Sequence, residues 1–126
     1  MSLKEKPNPT ILIVDDDPNI LELLQESLED LSFKVVKATQ GIEALKVVRT
    51  QNVDCLITDI SMPEMDGPEL IRTLHNEGRH IPFFFITAYQ DYPRENLNLY
   101  KPRAIIFKPF DFEELALLVK NHMMRL

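Results

Sequence analysis

The sequence predicts an α/β fold in which one parallel sheet of five strands carries helices on both faces. Five short apolar runs alternate with longer segments whose apolar residues recur mostly at helical spacing, and Pro or Gly marks many of the junctions. Alternating strands and helices build right-handed crossover units, which make the strands parallel. The carboxyl ends of the strands therefore meet at one edge of the sheet, where ligands of such folds bind.

Continuous apolar runs identify the strands, because the strands of a parallel sheet are buried on both faces. The predicted strands are 11–14, 33–38, 53–59, 81–86 and 105–107. Pro82 is compatible with the fourth strand only near its start, since proline cannot donate to the hydrogen-bond ladder. The single cysteine, Cys55, lies inside the third run, and we expect a buried structural thiol.

Capping residues and apolar stripes identify the helices between these strands. Asp17 and Pro18 suit the N-cap and first position of the first helix, and Gly78 suits the end of the third. Segment 91–99 has no clean apolar stripe and is predicted as a short helix. The expected inner faces are Ile20, Leu21, Leu24, Leu28 and Leu31 in the first helix, Ile42, Leu45 and Val48 in the second, Leu70, Ile71 and Leu74 in the third, and Phe112, Leu115, Ala116, Val119 and Met123 in the last.

Composition and charge indicate one soluble domain. The chain has 126 residues, which is enough for one domain. Its net charge of -6 and its sequence pI near 5.0 argue against direct nucleic-acid binding. The sequence has no apolar stretch long enough to span a membrane and no signal-peptide pattern, so we expect a cytoplasmic protein with no membrane partner. Residues 1–9 are polar, contain two prolines and are predicted as a flexible tail before a single domain over 10–126.

Four of the five strands end at residues suited to phosphate chemistry: Asp15 and Asp16, Asp59, Thr87 and Lys108. A lone aspartate would more simply cap a helix, but four such strand ends form a pattern. Carboxylates held close together repel one another unless a cation intervenes, and Mg²⁺ binds a few carboxylates while keeping several waters. An aspartate beside Mg²⁺ can attack phosphorus, while an ammonium and a hydroxyl stabilise the phosphoryl oxygens. The sequence therefore predicts a Mg²⁺-dependent phosphoryl site at this edge.

Four motifs, in this order and spacing, resemble the receiver domain of two-component response regulators. They are ILIVDDDP at 11–18, LITDISMPEMDG at 56–67, ITA at 86–88 and FKPF at 107–110, and the resemblance covers the chain after the tail. It implies a flavodoxin-like (βα)5 three-layer sandwich with the strand order 2-1-3-4-5. It also implies a signalling switch rather than an enzyme that turns over a substrate.

The resemblance further implies the roles of the acidic residues. Asp59 would accept a phosphoryl group from a phosphohistidine on a sensor histidine kinase or a histidine phosphotransfer protein. Asp15, Asp16, Asp59 and the backbone carbonyl of Ser61 would hold Mg²⁺. The protein would catalyse its own phosphorylation and dephosphorylation with this set of residues.

Thr87 and Lys108 are implied to respond to the phosphoryl group. Thr87 would follow it as a switch, and Lys108, joined to Pro109 by a cis peptide bond, would pair with it. Receivers usually carry an aromatic residue at the position of Ile105, which has no ring to swing inward when the threonine moves. Ser61 and Tyr89 hold positions that, in the family, flank the attacking water and affect the lifetime of the aspartyl phosphate.

The last helix carries further apolar residues beyond its inner stripe, namely Leu117, Leu118 and Met124. They are either partly buried at the end of the helix or part of a docking surface, and exposed apolar patches do mark such sites. In the family, the face formed by the fourth helix, the fifth strand and the fifth helix binds a second copy of the chain or an output partner.

Two other functions stay open from the sequence. An aspartate-nucleophile phosphatase or related hydrolase would also carry acidic residues after its first strand, although the chain has no evident cap region for a substrate. A receiver-like module that binds partners without phosphorylation is favoured by Ile105 and opposed by the complete set of strand-end residues. The three histidines, His75, His80 and His122, show no metal-ligand spacing and are expected on the surface.

Overall fold

The computed structural model describes residues 8–88 and 94–124, with only the backbone of residues 94 and 95. Its strands and helices are β1 (Thr10–Val14), α1 (Pro18–Glu29), β2 (Lys34–Ala38), α2 (Gly41–Thr50), β3 (Cys55–Asp59), α3 (Gly67–Asn76), β4 (Phe83–Thr87), α4 (Arg94–Asn98), β5 (Ile105–Phe107) and α5 (Phe112–Met123). The strands are parallel in the order β2-β1-β3-β4-β5, which confirms the predicted topology. Tyr89 and most of the predicted tail lie outside the described residues.

Alternate residues of the central strands supply two hydrophobic cores, one on each face of the sheet. Leu12, Leu56 and Phe85 pack with α2, α3 and α4 on one face. Ile13, Ile57 and Phe84 pack with α1 and α5 on the other, and all six side chains are at most 1% exposed. Burial on both faces explains why the strand sequences are continuously apolar rather than alternating. Among the described residues, no helix has the length and apolarity needed to cross a bilayer.

Aspartate N-caps start the three helices that follow the loops at the carboxyl edge of β1, β3 and β5. Asp17, Asp66 and Asp111 each accept a hydrogen bond from a backbone N–H two or three residues later, at 2.8–2.9 Å. An N-cap of this kind typically contributes about 1 kcal/mol. These caps therefore help to hold the loops around the strand-end residues in a defined conformation.

The expectation that Ile42 lies on the inner face of α2 is wrong, because its side chain is 40% exposed. The helix begins at Gly41, so its buried positions are Gly41, Ala44, Leu45 and Val48, at the i, i+3, i+4, i+7 spacing of one helix face. Gly41 packs against Met65, and an added Cβ would lie 2.9 Å from the Met65 Cγ. The close contact between these two residues sets the rotation of α2, and sequence periodicity does not reveal it.

The boundaries of β3 and β4 also differ from the prediction. β4 begins at Phe83 rather than at residue 81, because Pro82 has no N–H and contributes only a carbonyl, which accepts a hydrogen bond from the Leu56 N–H at 3.0 Å. β3 begins at Cys55, and the preceding Asp54 accepts a hydrogen bond from the Thr10 N–H at 2.8 Å. Both strands thus begin later than predicted, while β3 ends at Asp59 as predicted and β4 ends at Thr87, one residue beyond its predicted end.

Candidate functional site

The register of the sheet brings the predicted strand-end residues together. Val14 of β1 lies opposite Thr58 of β3. The residues that follow them, Asp15 and Asp59, therefore meet at the same edge of the sheet. β5 ends beside β4, where the Lys108 N–H donates to the Thr87 carbonyl at 2.8 Å. Three carboxylates, a hydroxyl and an ammonium are thus gathered at one edge of the sheet, as the topology predicts.

Asp59 is the last residue of the central strand β3 and is 4% exposed. Its Oδ1 accepts a hydrogen bond from the Ile60 N–H at 2.8 Å, and its Oδ2 accepts one from Lys108 Nζ at 3.0 Å. The loop after Asp59 returns so closely that a Cβ on Gly67 would lie 2.5 Å from the Asp59 carbonyl oxygen. Gly67 is therefore a positioning residue that the site requires and that the sequence prediction missed.

Asp15 is the most buried carboxylate of the site, at 1% exposure. Its Oδ1 accepts a hydrogen bond from the Asp17 N–H at 2.8 Å, while its Oδ2 lies 3.1 Å from Lys108 Nζ but makes no hydrogen bond of good geometry. Asp16 is exposed, and one ligand oxygen from each of Asp15, Asp16 and Asp59 lies within 4.8 Å of the other two.

Burial and crowding shift the pKa values of these groups. Burial, with a smaller contribution from the charge of Asp59, raises the pKa of Asp15 from 3.8 to about 6. Burial also raises the pKa of Asp59, against the opposing effect of Lys108. Burial alone would lower the pKa of Lys108, but its hydrogen bond to Asp59 and its charge interactions with Asp59 and Asp15 outweigh that effect and raise it. The folded protein thus holds negative charge that one ammonium only partly balances.

The donor set suits Mg²⁺. Carboxylate oxygens are the ligands that this hard cation prefers, and the Asp15 Oδ2 is a buried polar atom without a hydrogen bond. Three carboxylates against one ammonium leave two net negative charges among these four side chains, which a divalent ion would neutralise. Ser61 is exposed two residues after Asp59, and ligation by its carbonyl stays a prediction.

Thr87 is 1% exposed at the end of β4, and its hydroxyl donates to the Ala88 carbonyl at 2.7 Å. Ile105, half-buried in β5, lies opposite Phe85 in the register. Two aromatic rings do contact Phe85: that of Phe83 in the same strand, with ring centres 5.2 Å apart, and, from outside the sheet, that of Tyr100, at 6.3 Å. The sequence offers no signal for the Tyr100 contact, because the connection from α4 to β5 has no periodic pattern.

Four further sequence expectations concern residues other than the three aspartates. Cys55 is 1% exposed and burial raises its pKa, in agreement with a structural thiol. Leu118 and Met124 pack against the core beside α1 and α5, so partial burial explains both. Leu117 is 50% exposed and stays available as part of a docking surface. The predicted cis peptide bond between Lys108 and Pro109 is present.

Comparisons with known proteins match most of the chain to one family. The family model described as the response regulator receiver domain matches residues 11–120. Sensor protein EvgS of Escherichia coli K12 is 38% identical over 118 residues, which are 93% of this chain and 10% of EvgS. The transcriptional regulatory protein YbdJ of Bacillus subtilis is 35% identical over 111 residues, which are 88% of this chain and 49% of YbdJ.

Solved structures of receiver domains have the same fold. TrrA of Thermotoga maritima, determined in complex with Mg²⁺-BeF, is 34% identical and has a TM-score of 0.79, covering 90% of this chain and 98% of TrrA. The receiver domain of the Francisella response regulator 1452 is 28% identical with a TM-score of 0.84, covering 94% of this chain and 98% of that one. The chain thus covers almost all of these two receiver structures. It covers less than half of the length of EvgS and YbdJ.

Proposed function

The chain belongs to the response regulator receiver domain family, a family of signalling switches, and we propose that it accepts a phosphoryl group on Asp59 and thereby changes its interactions with partner proteins. One observation carries the proposal. The buried carboxylate of Asp59 lies at a strand end beside Lys108, with two further carboxylates within reach of a shared cation. A structural ion pair would not need this excess of negative charge.

Asp15, Asp16 and Asp59 would hold Mg²⁺, with the Ser61 carbonyl as a further ligand. When bound there, Mg²⁺ supplies positive charge to the phosphoryl oxygens. The related TrrA, whose structure was determined as a complex with Mg²⁺-BeF, supports this assignment. Binding would also counter the burial and the smaller charge repulsion that raise the pKa values of the two buried carboxylates.

The protein's own residues would position and stabilise the transfer. One carboxylate oxygen of Asp59 forms a bond to phosphorus as the bond between phosphorus and the donor histidine nitrogen breaks, and that nitrogen keeps the electron pair. Lys108 Nζ, already 3.0 Å from Asp59 Oδ2, would pair with a phosphoryl oxygen. The Thr87 hydroxyl would leave the Ala88 carbonyl and donate to another phosphoryl oxygen, which changes the end of β4.

Receiver domains interact with sensor kinases in two-component signalling, and two of the relatives are a sensor protein and a sensor kinase. We propose a sensor histidine kinase or a histidine phosphotransfer protein as the donor, in the cytoplasm. The change at Thr87 would reach the face of α4, β5 and α5, where Leu117 is exposed. A second copy of the chain or an output partner would bind that face.

The proposal is tested with a histidine phosphotransfer domain that carries a radiolabelled phosphohistidine. We expect label to move to the wild-type chain with Mg²⁺, little transfer with EDTA, and none to Asp59→Asn. The matched control is Asp54→Asn, at the opposite end of β3, because asparagine retains the acceptor for the Thr10 N–H.

Three results would contradict the proposal. Equal labelling of Asp59→Asn would mean that Asp59 is not the acceptor. Steady release of phosphate from small phosphate esters by the chain alone would favour the hydrolase hypothesis. A folded wild-type chain that takes no label from any donor would indicate a binding module without phosphorylation.

A further inference from the structure

Two histidine rings come together at the end of α3, far from the strand-end carboxylates. His75 lies in the last turn of α3 and His80 in the connection to β4, and their ring centres are 4.8 Å apart with 33° between the planes. His75 is half-buried, and its ring meets Phe83 edge-on at 6.3 Å. Phe83 begins β4 and Thr87 ends it. The two histidines therefore lie near the start of β4, at the opposite end of the strands from Asp59.

The backbone between the two histidines holds them in this arrangement. Gly78, with φ +76°, reverses the chain after α3, and its N–H donates to the His75 carbonyl at 2.9 Å. The Arg79 N–H donates to the Leu74 carbonyl at 2.8 Å. These two hydrogen bonds return the chain onto the helix end, so that His80 meets His75 across a fixed turn.

The separation of the rings suits two ligands of one metal ion. An imidazole nitrogen binds Zn²⁺ at about 2.0–2.1 Å, so two imidazoles on adjacent coordination positions have ring centres roughly 4.5–5.2 Å apart. The observed 4.8 Å lies within that interval. Nitrogen ligands select borderline transition metals such as Zn²⁺, Ni²⁺ or Cu²⁺ over the hard cations that carboxylates prefer.

His75 is half-buried and His80 is exposed, so a metal ion bound by both rings would stay in contact with water. The carboxylate of Glu77 is engaged by Arg49 and Arg79, so water molecules would complete the coordination shell. The last carbonyls of a helix also carry partial negative charge, which favours a cation at this end of α3.

We propose that His75 and His80 together bind one divalent transition-metal ion through imidazole nitrogens, at a site separate from the carboxylates around Asp59. A bound ion would link the end of α3 to the segment that leads into β4. This inference does not depend on phosphorylation of Asp59.

Zn²⁺ titration by calorimetry, in excess Mg²⁺ and in an Asp59→Asn background that weakens the carboxylate site, tests the proposal. We expect one Zn²⁺ per chain, and we expect His75→Gln and His80→Gln each to weaken it by about tenfold or more, since each removes one of two protein ligands. His80 is exposed, so its substitution is compatible with folding. The matched control is His122→Gln on α5, which should bind Zn²⁺ as the background does.

Proton NMR of the imidazole Cε1–H signals gives an independent readout. Zn²⁺ should shift the signals of His75 and His80 and leave that of His122, which packs edge-on against Phe84, unchanged. Zn²⁺ affinity that is unaltered in His80→Gln would overturn the proposal. So would an equal loss of affinity in His122→Gln, since that would indicate non-specific binding to histidine.

Discussion

Replacing Asp15 with asparagine should stabilise the metal-free protein while removing a Mg²⁺ ligand. Asp15 is 1% exposed, and burial raises its pKa from 3.8 to about 6. Asparagine keeps an oxygen for the Asp17 N–H, which now donates to Asp15 Oδ1 at 2.8 Å. The substitution therefore removes a buried negative charge and preserves the hydrogen bond that shapes the loop after β1.

The magnitude follows from the linkage between pKa and stability. The interval from 3.8 to about 6 corresponds to about 3 kcal/mol at ~1.4 kcal/mol per pH unit. Because folding raises this pKa, protonation of the Asp15 carboxyl group favours the folded state. That contribution is complete below pH 3.8 and is lost as the pH rises to about 6. At pH 7, Asp15→Asn should thus raise the free energy of unfolding by about 1 to 3 kcal/mol. The lower value applies if the NH2 group of the new asparagine lies against the Lys108 ammonium. At pH 5 the gain should fall to about half.

Urea denaturation in EDTA at pH 7 and pH 5 measures this gain, provided that the slope m is unchanged. Added Mg²⁺ should stabilise the wild type and have much less effect on Asp15→Asn. Glu22→Gln, which removes one exposed charge from α1, is the control and should change stability by less than about 0.5 kcal/mol. A variant that is less stable than wild type at pH 7 without divalent ions would refute the reasoning.

Four further substitutions test single features of the site and its loops. Lys108→Ala leaves the carboxylate of Asp59 without its ammonium partner and should destabilise the metal-free protein by about 1–3 kcal/mol in denaturation. Gly67→Ala puts a Cβ 2.5 Å from the Asp59 carbonyl oxygen, so it should lower the free energy of unfolding by about 1–3 kcal/mol and impair phosphorylation. Gly78→Ala is its control, because a Cβ there enters open space at φ +76°. It should lower the free energy of unfolding by about 1 kcal/mol and leave phosphorylation unchanged. Glu64→Gly, at φ +68°, should raise the melting temperature, because relief of the left-handed conformation is worth up to about 1 kcal/mol.

The strand-end site could be predicted from sequence because topology alone determines it. Once β1, β3, β4 and β5 are known to be parallel, Asp15, Asp59, Thr87 and Lys108 must lie at the same edge of the sheet. The prediction needs no knowledge of side-chain packing, and small errors in where a strand begins do not move its carboxyl end.

The features that sequence reasoning missed depend on contacts between distant or irregular segments. Helical periodicity predicts a buried Ile42. It cannot show that Gly41 packs against Met65 instead. The contact of Tyr100 with Phe85 arises in a connection without a repeat. The pairing of His75 with His80 requires the left-handed turn at Gly78, whereas the five-residue spacing matches no helical face.

The most direct test of the account is intact-mass spectrometry after incubation with acetyl phosphate, with and without Mg²⁺. The site geometry predicts a single phosphoryl adduct on the wild-type chain that requires Mg²⁺ and is absent from Asp59→Asn. Lys108→Ala should form the adduct more slowly, since it lacks the ammonium that faces the acceptor oxygen. An adduct that persists in Asp59→Asn, or no adduct on a folded wild-type chain with Mg²⁺, would contradict the assignment of Asp59 as the phosphoryl acceptor.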